Sequence, residues 1–372
     1  MTCSYTMNST NASSNATHVS SRSFHHFLQE PFGLTIGRLI IEGIIFFIGV
    51  VGNILVCVVV VRQRLTKSLA YVFILNLAIA DLGILLFSFP FGLIRTEGIS
   101  WPFGWFGCKV FYPLSDVFHG VSIASITVIA IYRYRGIVAG RSPNQNRAAN
   151  CAKVIIFCLW VSSFLLLVVP LFFSMEFVIF QGKHYCYPKF EKWLYFAIYQ
   201  MELFVITYML PISIILFTYV KIRARLRESI RLRHQIRRQS GLLNKTDKDS
   251  FNEKNFKALR ILTPVVLVFV VTMLPYNIYR VVDIFIDTSG IKYMLIFFKM
   301  CVLAFVCNSS ANPVIYALIS DEFRKAFKWH LRYCVSKPLN KTNMFSLAER
   351  FTSIKKAHGK ERKKSATTML MV

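Results

Sequence analysis

The sequence predicts an all-α integral membrane protein: a seven-transmembrane helix bundle with a short C-terminal amphipathic helix and a β-hairpin in the second extracellular loop. Three observations carry this. The 372-residue chain is 55% hydrophobic and only 17% charged, against about a quarter charged in soluble domains. Seven apolar runs are long enough to cross ~30 Å of hydrocarbon, which takes about 20 residues. Finally, 34 of the 44 Lys and Arg fall in the segments after the first, third, fifth and seventh runs.

The same numbers exclude other classes. A net charge of +26 would suit nucleic acid if it formed a patch on a soluble fold. Here the bases lie between apolar runs, so no nucleic-acid partner is expected. Nine Cys are scattered without CxxC or Cys/His spacing, which gives neither a zinc site nor a redox motif.

Four regions follow in order. Residues 1–33 form a polar leader with three N-x-S/T acceptors, Asn8, Asn11 and Asn15; it reads as a glycosylated extracellular tail. It lacks a basic n-region before an apolar h-region, so the first apolar run is expected to act as its own insertion signal. Residues 34–320 hold the spans, at 34–61, 69–94, 110–138, 154–173, 194–220, 261–286 and 293–319. The third is the least apolar, with Asp116, His119 and several Ser, and is expected to turn that side into the bundle. The bias of Lys and Arg makes their side cytoplasmic. The N-terminus is then extracellular and the C-terminus cytoplasmic, in a multi-pass plasma-membrane protein. Sequons at Asn244 and Asn340 fall inside on this topology and stay unused.

The connectors carry their own signals. Between spans four and five, residues 177–187 (FVIFQGKHYCY) alternate in polarity around Gln181-Gly182-Lys183, a β-hairpin pattern. The 221–260 loop reads as helical extensions of spans five and six, with a polar connector at 240–249. Residues 321–334 place Phe323, Phe327, Leu331 and Cys334 at helical spacing with bases between, an amphipathic helix lying on membrane lipids. Cys334 is a palmitoylation candidate; an unmodified interfacial Cys is the competing reading. Residues 335–372 are basic, polar and expected to be disordered.

Polar groups inside lipid are expensive and each asks for a reason. Asn53 sits in span one beside Gly52, and Asp81 in span two within L-N-L-A-I-A-D-L. Cys108 opens span three and Tyr132-Arg133-Tyr134 closes it. Trp160 lies in span four, Pro211 and Tyr219 in span five, Phe269 and Pro275 in span six. Asn308, Ser309 and N-P-V-I-Y (Asn312 to Tyr316) end span seven. In these residues, on these spans, the chain resembles the rhodopsin-like (class A) G-protein-coupled receptors, over roughly residues 37–334. The hairpin loop looks like that of the peptide-binding branch, of the neuropeptide-receptor type.

The resemblance implies a set of roles. Cys186, in the loop between spans four and five, would pair with Cys108 and tie that loop over the bundle; unpaired thiols are the alternative. Twenty-five residues separate Cys108 from Arg133, about 37 Å of helix, so the two lie at opposite faces of the membrane. Ile123, Pro211 and Phe269 match the packing triad of the activation switch, with Arg133, Tyr134, Tyr219, Met273, Pro275 and Tyr316 its other parts. Prolines 211, 275 and 313 remove backbone hydrogen bonds inside spans and supply pivots. Asp81, Ser122, Asn308 and Asn312 match a sodium-binding network, the one allosteric cofactor expected. A carboxylate with neutral oxygens suits a hard cation; a neutral hydrogen-bonded polar core is the rival. Cytoplasmic partners would be a heterotrimeric G protein and arrestin.

Two departures stand out. The acid usually found before the span-three Arg is Tyr132, and Asn255 replaces another acid at the base of span six. Without these anions the resting latch on Arg133 is weak, so basal signalling should be raised. Second-messenger levels indistinguishable from background at every expression level would contradict this. The aromatic expected two residues before Pro275 is Met273, a flexible side chain.

Ligand class follows from position. Ser115 stands where amine receptors carry Asp, and Asp116 is one residue on, about 100° around the helix. A monoamine is not expected. A retinal-linking Lys would fall at Val306, and Lys299 is too far out. Glu42, Arg95, Glu202, Arg280, Asp283, Asp287 and Lys299 add mixed charge at the outer ends, which suits an extracellular peptide. The pocket set is Ser115, Asp116, Tyr276, Tyr279, Arg280, Asp283, Asp287 and Lys299. An enzyme is not expected, since no nucleophile–base pair stands out. The alternatives are a secondary transporter, which would normally show repeated halves, and a constitutively active receptor without a diffusible agonist.

Overall fold

The computed structural model describes residues 30–62, 69–138, 145–240, 247–286 and 293–336. Seven helices in it are long and apolar enough to cross a membrane: Phe32–Arg62, Leu69–Thr96, Gly104–Ile137, Asn150–Ser174, Trp193–Arg231, Thr263–Phe285 and Met294–Ile319. Large apolar side chains point away from the protein on all sides, among them Phe47, Phe157 and Val271, each at least 60% exposed. Such a surface suits lipid and not water.

Four of the spans are not plain α-helices. A single π-turn interrupts span two at Ile84–Ser88, span three at Gly107–Phe111, span four at Phe164–Val168 and span five at Val205–Met209. Each ends two residues before a proline: Pro90, Pro113, Pro170 and Pro211. The cause is common to all four. Proline has no N–H and its ring crowds the carbonyl one turn back; a π-turn gives that carbonyl room without ending the helix. Pro211 therefore follows a π-turn, whereas Pro264, Pro275 and Pro313 lie inside continuous α-helix.

Spans one and seven pack closely because span one offers glycine. Asn53 Nδ2 donates to the Gly49 carbonyl at 2.9 Å and across to the Ser309 carbonyl at 3.1 Å. Spans two, three and four are stitched by Asn76. Its Nδ2 donates to Ser125 Oγ at 2.8 Å, and Trp160 Nε1 donates to its Oδ1 at 3.0 Å.

The hairpin is present. β1 (Met175–Phe180) pairs antiparallel with β2 (Lys183–Pro188), Phe177 opposite Cys186. The turn is the two residues Gln181 and Gly182, with φ of 49° and 75°. Two successive positive φ values match the strand twist of a tight hairpin, and Lys183 already belongs to β2. Cys186 is bonded to Cys108, Cα to Cα 5.6 Å. The bridge is buried with Phe91, Trp101, Met175, Phe190 and Tyr199. The span-two to span-three loop clasps the hairpin too: Trp101 N donates to the His184 carbonyl at 2.8 Å and His184 N to Ser100 Oγ at 3.0 Å.

The helical extensions are longer than the sequence suggests. One helix runs Leu210–Ser240, and the next begins at Asp247, inside the expected connector, and runs to Phe285. The chain divides into two compact units, Met1–Arg324 and Lys325–Val372. The last helix, Asp321–Ser336, starts in the first and runs into the second. The side chain of Cys334, and Asn8, Asn11, Asn15 and Asp287, lie outside the described residues.

Candidate functional site

At the hairpin end the spans enclose a cavity of about 270 Å³. Six of the expected pocket residues line it: Ser115, Asp116, Tyr276, Tyr279, Arg280 and Asp283. Spans three and six thus supply the polar walls. Span seven adds an aromatic wall, with Tyr279 edge-on to Phe298 at 4.7 Å and Tyr276 to Phe305 at 5.3 Å. Ser115 reaches the cavity with its hydroxyl turned aside, donating to the Tyr112 carbonyl at 2.7 Å. Arg95 and His119 also line it. The first donates to Tyr112 Oη at 2.9 Å and the second packs edge-on to Phe305 at 5.0 Å.

Lys299 does not belong to the pocket. Its ammonium points to Glu30 at 3.1 Å and Glu97 at 3.0 Å. Arg38 of span one holds the same two carboxylates, at 3.1 and 2.6 Å, and adds Glu42 at 2.9 Å. Two cations and three carboxylates therefore share one network, joining a residue just before span one and the loop after span two to spans one and seven. The Arg38 side chain is 3% exposed. Glu42, expected at an outer end, is instead deep in this network, and its Oε2 has no hydrogen-bond partner. Residues Arg38 and Glu42 stand at i, i+4 inside an apolar run, a pairing visible in the sequence. Glu30 and Glu97, from a leader and a loop, carried no such signal.

Burial pushes the Glu30 carboxyl up, but hydrogen bonds from Arg38, Lys299 and Thr35 outweigh it and hold the group below its ordinary value of 4.5. A carboxyl so depressed adds stability above its unfolded value and loses it as pH falls through the folded one. The difference in thermal midpoint between the parent chain and Glu30→Gln should hence stay level from about pH 7 to about pH 5. It should shrink only below the ordinary value. A difference already shrinking between about pH 7 and about pH 6 would contradict this origin.

Deeper, Asp81 is fully buried. Ser122 Oγ donates to its Oδ1 at 2.9 Å and Asn312 Nδ2 to its Oδ2 at 2.7 Å. Asn308 is buried on the same span as Asn312, and among the described residues it makes no hydrogen bond to the carboxylate. The Ser309 hydroxyl does lie near it but makes no well-formed hydrogen bond to it or to another group among the described residues. One carboxylate with an unpaired neutral hydroxyl fits a singly charged hard cation.

Between cavity and carboxylate, Phe269 packs with Tyr208 and Met273, and Ile123 lies against them. Met273 and Ile123 also line the cavity, so one cluster touches both ligand space and core. Pro211 is buried one turn along from Tyr208. At the far end, Tyr134 packs on Phe217 at 5.9 Å, and Tyr219 Oη accepts from Arg223 at 3.4 Å. Buried Tyr316 stacks on Phe323 at 5.4 Å. Among the described residues Arg133 makes no ion pair; the side chain of Asn255 is outside them.

Comparison with known proteins bears on this arrangement. Residues 52–316 match the family model described as 7 transmembrane receptor (rhodopsin family). The galanin receptor type 1 of Rattus norvegicus is 30% identical over 306 residues, 81% of this chain and 84% of that protein. The somatostatin receptor type 2 of Mus musculus is 28% identical over 289 residues, 77% of this chain and 74% of that protein.

Proposed function

The chain belongs to the rhodopsin family of seven-transmembrane receptors, and on that footing we propose a cell-surface receptor that binds an extracellular peptide and activates heterotrimeric G proteins. It is a multi-pass plasma-membrane protein and not an enzyme. The observation that carries the ligand reading is the cavity, whose charges of both signs and aromatic wall suit a peptide with several polar groups. Relatives named as galanin and somatostatin receptors support it.

The hairpin end faces outside and the basic ends face the cytosol, as the Lys and Arg bias requires. The inner helical extensions and the 133–153 segment supply the G-protein surface, with arrestin a second partner. Asn8, Asn11 and Asn15 are glycosylated outside, and Cys334 is lipidated where the last helix meets membrane lipids. The polar core around Asp81 holds sodium: Asp81, Ser122, Ser309 and Asn312 would ligate it, and it would favour the resting state. Asp81→Asn should abolish the sodium sensitivity of agonist affinity, and retention of that sensitivity would remove sodium from Asp81.

A peptide-library screen of the expressed receptor with a promiscuous Gα tests the main reading. Ligand-dependent nucleotide exchange supports it. Accumulation of a labelled substrate inside cells, without exchange, would establish the transporter reading instead.

A further inference from the structure

Among the described residues, two charges in the cavity have no ion pair and no side-chain hydrogen bond. Asp116 on span three and Arg280 on span six both line it. Asp116 feels the charge of Arg280 and, less strongly, of Arg95, yet no ion pair within 4.0 Å joins it to either. The Arg280 guanidinium lies over the Tyr276 ring at 4.5 Å, and its buried Nε has no acceptor. The cavity's other charged side chains, Arg95 and Asp283, are both engaged in the protein. Asp116 stands eight residues past Cys108, roughly 12 Å along the helix, where little water competes.

The chemistry of the missing group follows from this pair. An ionised carboxylate only accepts hydrogen bonds and a guanidinium only donates. A ligand ammonium would satisfy Asp116 and be repelled by Arg280; a ligand carboxylate would do the reverse. An apolar group would leave both buried charges without partners, the costliest arrangement. A primary carboxamide offers N–H to Asp116 and C=O to Arg280. Being neutral, it also enters the membrane-depth cavity with less desolvation than an ion. We propose that the cavity recognises a primary carboxamide at the buried end of the ligand, with Asp116 and Arg280 as the paired specificity residues. This rests on the peptide-receptor reading above. The carboxamide comes from an amidated C-terminus or from an Asn or Gln side chain.

The test uses the full-length receptor, with nucleotide exchange on a promiscuous Gα as readout, and peptide libraries made in two forms: C-terminal amide and C-terminal acid. Where the terminus is the source, the amide of an active sequence should exceed its acid by ~100-fold or more, as expected of a site built around specific hydrogen bonds. Where a side chain is the source, the two forms are equal, and replacing one Asn or Gln by Ala costs the same factor. In either case, analogues in which an acid replaces the carboxamide should be compared on two variants, with surface staining as the folding control. Asp116→Asn removes the repulsion of the acid and should bring acid and amide analogues within a few-fold of one another. Arg280→Gln removes the attraction and should widen their gap. A merely structural role for either residue would lower both analogues together and leave their ratio unchanged, which overturns the inference. So would an active peptide with no dependence on any carboxamide, while leaving the receptor reading intact. No active peptide in either library overturns the receptor reading, and the inference with it.

Discussion

Replacing Arg38 with Met is expected to remove most of the receptor from the cell surface and to cost about 3–5 kcal/mol of stability, the range for removing one partner from a buried ion pair. Arg38 touches three carboxylates, Glu30, Glu42 and Glu97. Without it Lys299 still reaches Glu30 and Glu97, but Glu42 is left as a buried anion with no cation. That is the outcome the membrane penalises most heavily. The origin can be checked in a double substitution. Arg38→Met with Glu42→Leu removes charge from both sides of the pair and should recover a large part of the loss. Lys299→Met should be milder, since Arg38 continues to hold both of its carboxylates. Surface staining and the thermal midpoint in detergent measure all three. Equal losses for Arg38→Met and the double variant would show that the network's charge balance is not what Arg38 maintains.

Gly52→Val is expected to be the next most damaging, through shape and not charge. A Cβ at Gly52 would lie 2.6 Å from Pro313 Cγ and 2.8 Å from its Cβ. The proline ring is fixed to its backbone and cannot turn aside, so span seven must shift as a whole. Overpacking of this kind typically costs about 1–3 kcal/mol, and the branched Val sits above Ala within that range. The shift would also stretch the Asn53 bond to the Ser309 carbonyl. The control is Gly43, one span-one glycine whose added Cβ meets nothing within 4 Å. Gly43→Ala should be neutral or slightly stabilising, since Ala is the better helix former. Opposite signs at two glycines of one helix, read as thermal midpoints, would separate packing from propensity. A Gly52 variant as stable as the parent would show that spans one and seven are not in limiting contact.

The contrast between these two predictions marks what the residues alone could disclose. Spans were legible because hydropathy is local: twenty apolar residues need no partner to be recognised. So were Asp81, Arg133 and Asn312, since a polar group in an apolar run is conspicuous by itself. The Cys108–Cys186 pair and the hairpin strands were likewise legible, one from the resemblance and one from alternation. Lys299 was misplaced because its partners, Glu30 and Glu97, lie 269 and 202 residues away. Nothing in the local sequence distinguishes a lysine aimed at a ligand from one aimed at a leader. Asn76 lies within the span-two motif, but its bonds to Ser125 and from Trp160 exist only once three spans have packed. The prolines at 90, 113, 170 and 211 were visible, yet a proline in a helix can kink it, end it or be absorbed by a wider turn. Packing decides which, and here all four were absorbed.

Those four wider turns change how the chain is to be aligned with any relative whose helices run without them. A π-turn is one extra residue in the helix, and one residue is about 100° of rotation. Beyond such a turn, every side chain faces a direction that a relative with an uninterrupted helix gives to its neighbour. Arg95 lies past the turn in span two, and Tyr199 precedes the one in span five, each on the far side from that span's deep polar or proline landmark. Counting from Asp81 or Pro211 to these cavity residues therefore fails by one against an uninterrupted relative. Asp116 is different. Its span's turn, Gly107–Phe111, lies on the other side of it from Arg133, so the count back from Arg133 crosses unbroken helix. The one-residue step from Ser115 to Asp116 is therefore a true change of about 100° in facing, and residues beyond the turns should be compared with relatives only after realignment around them.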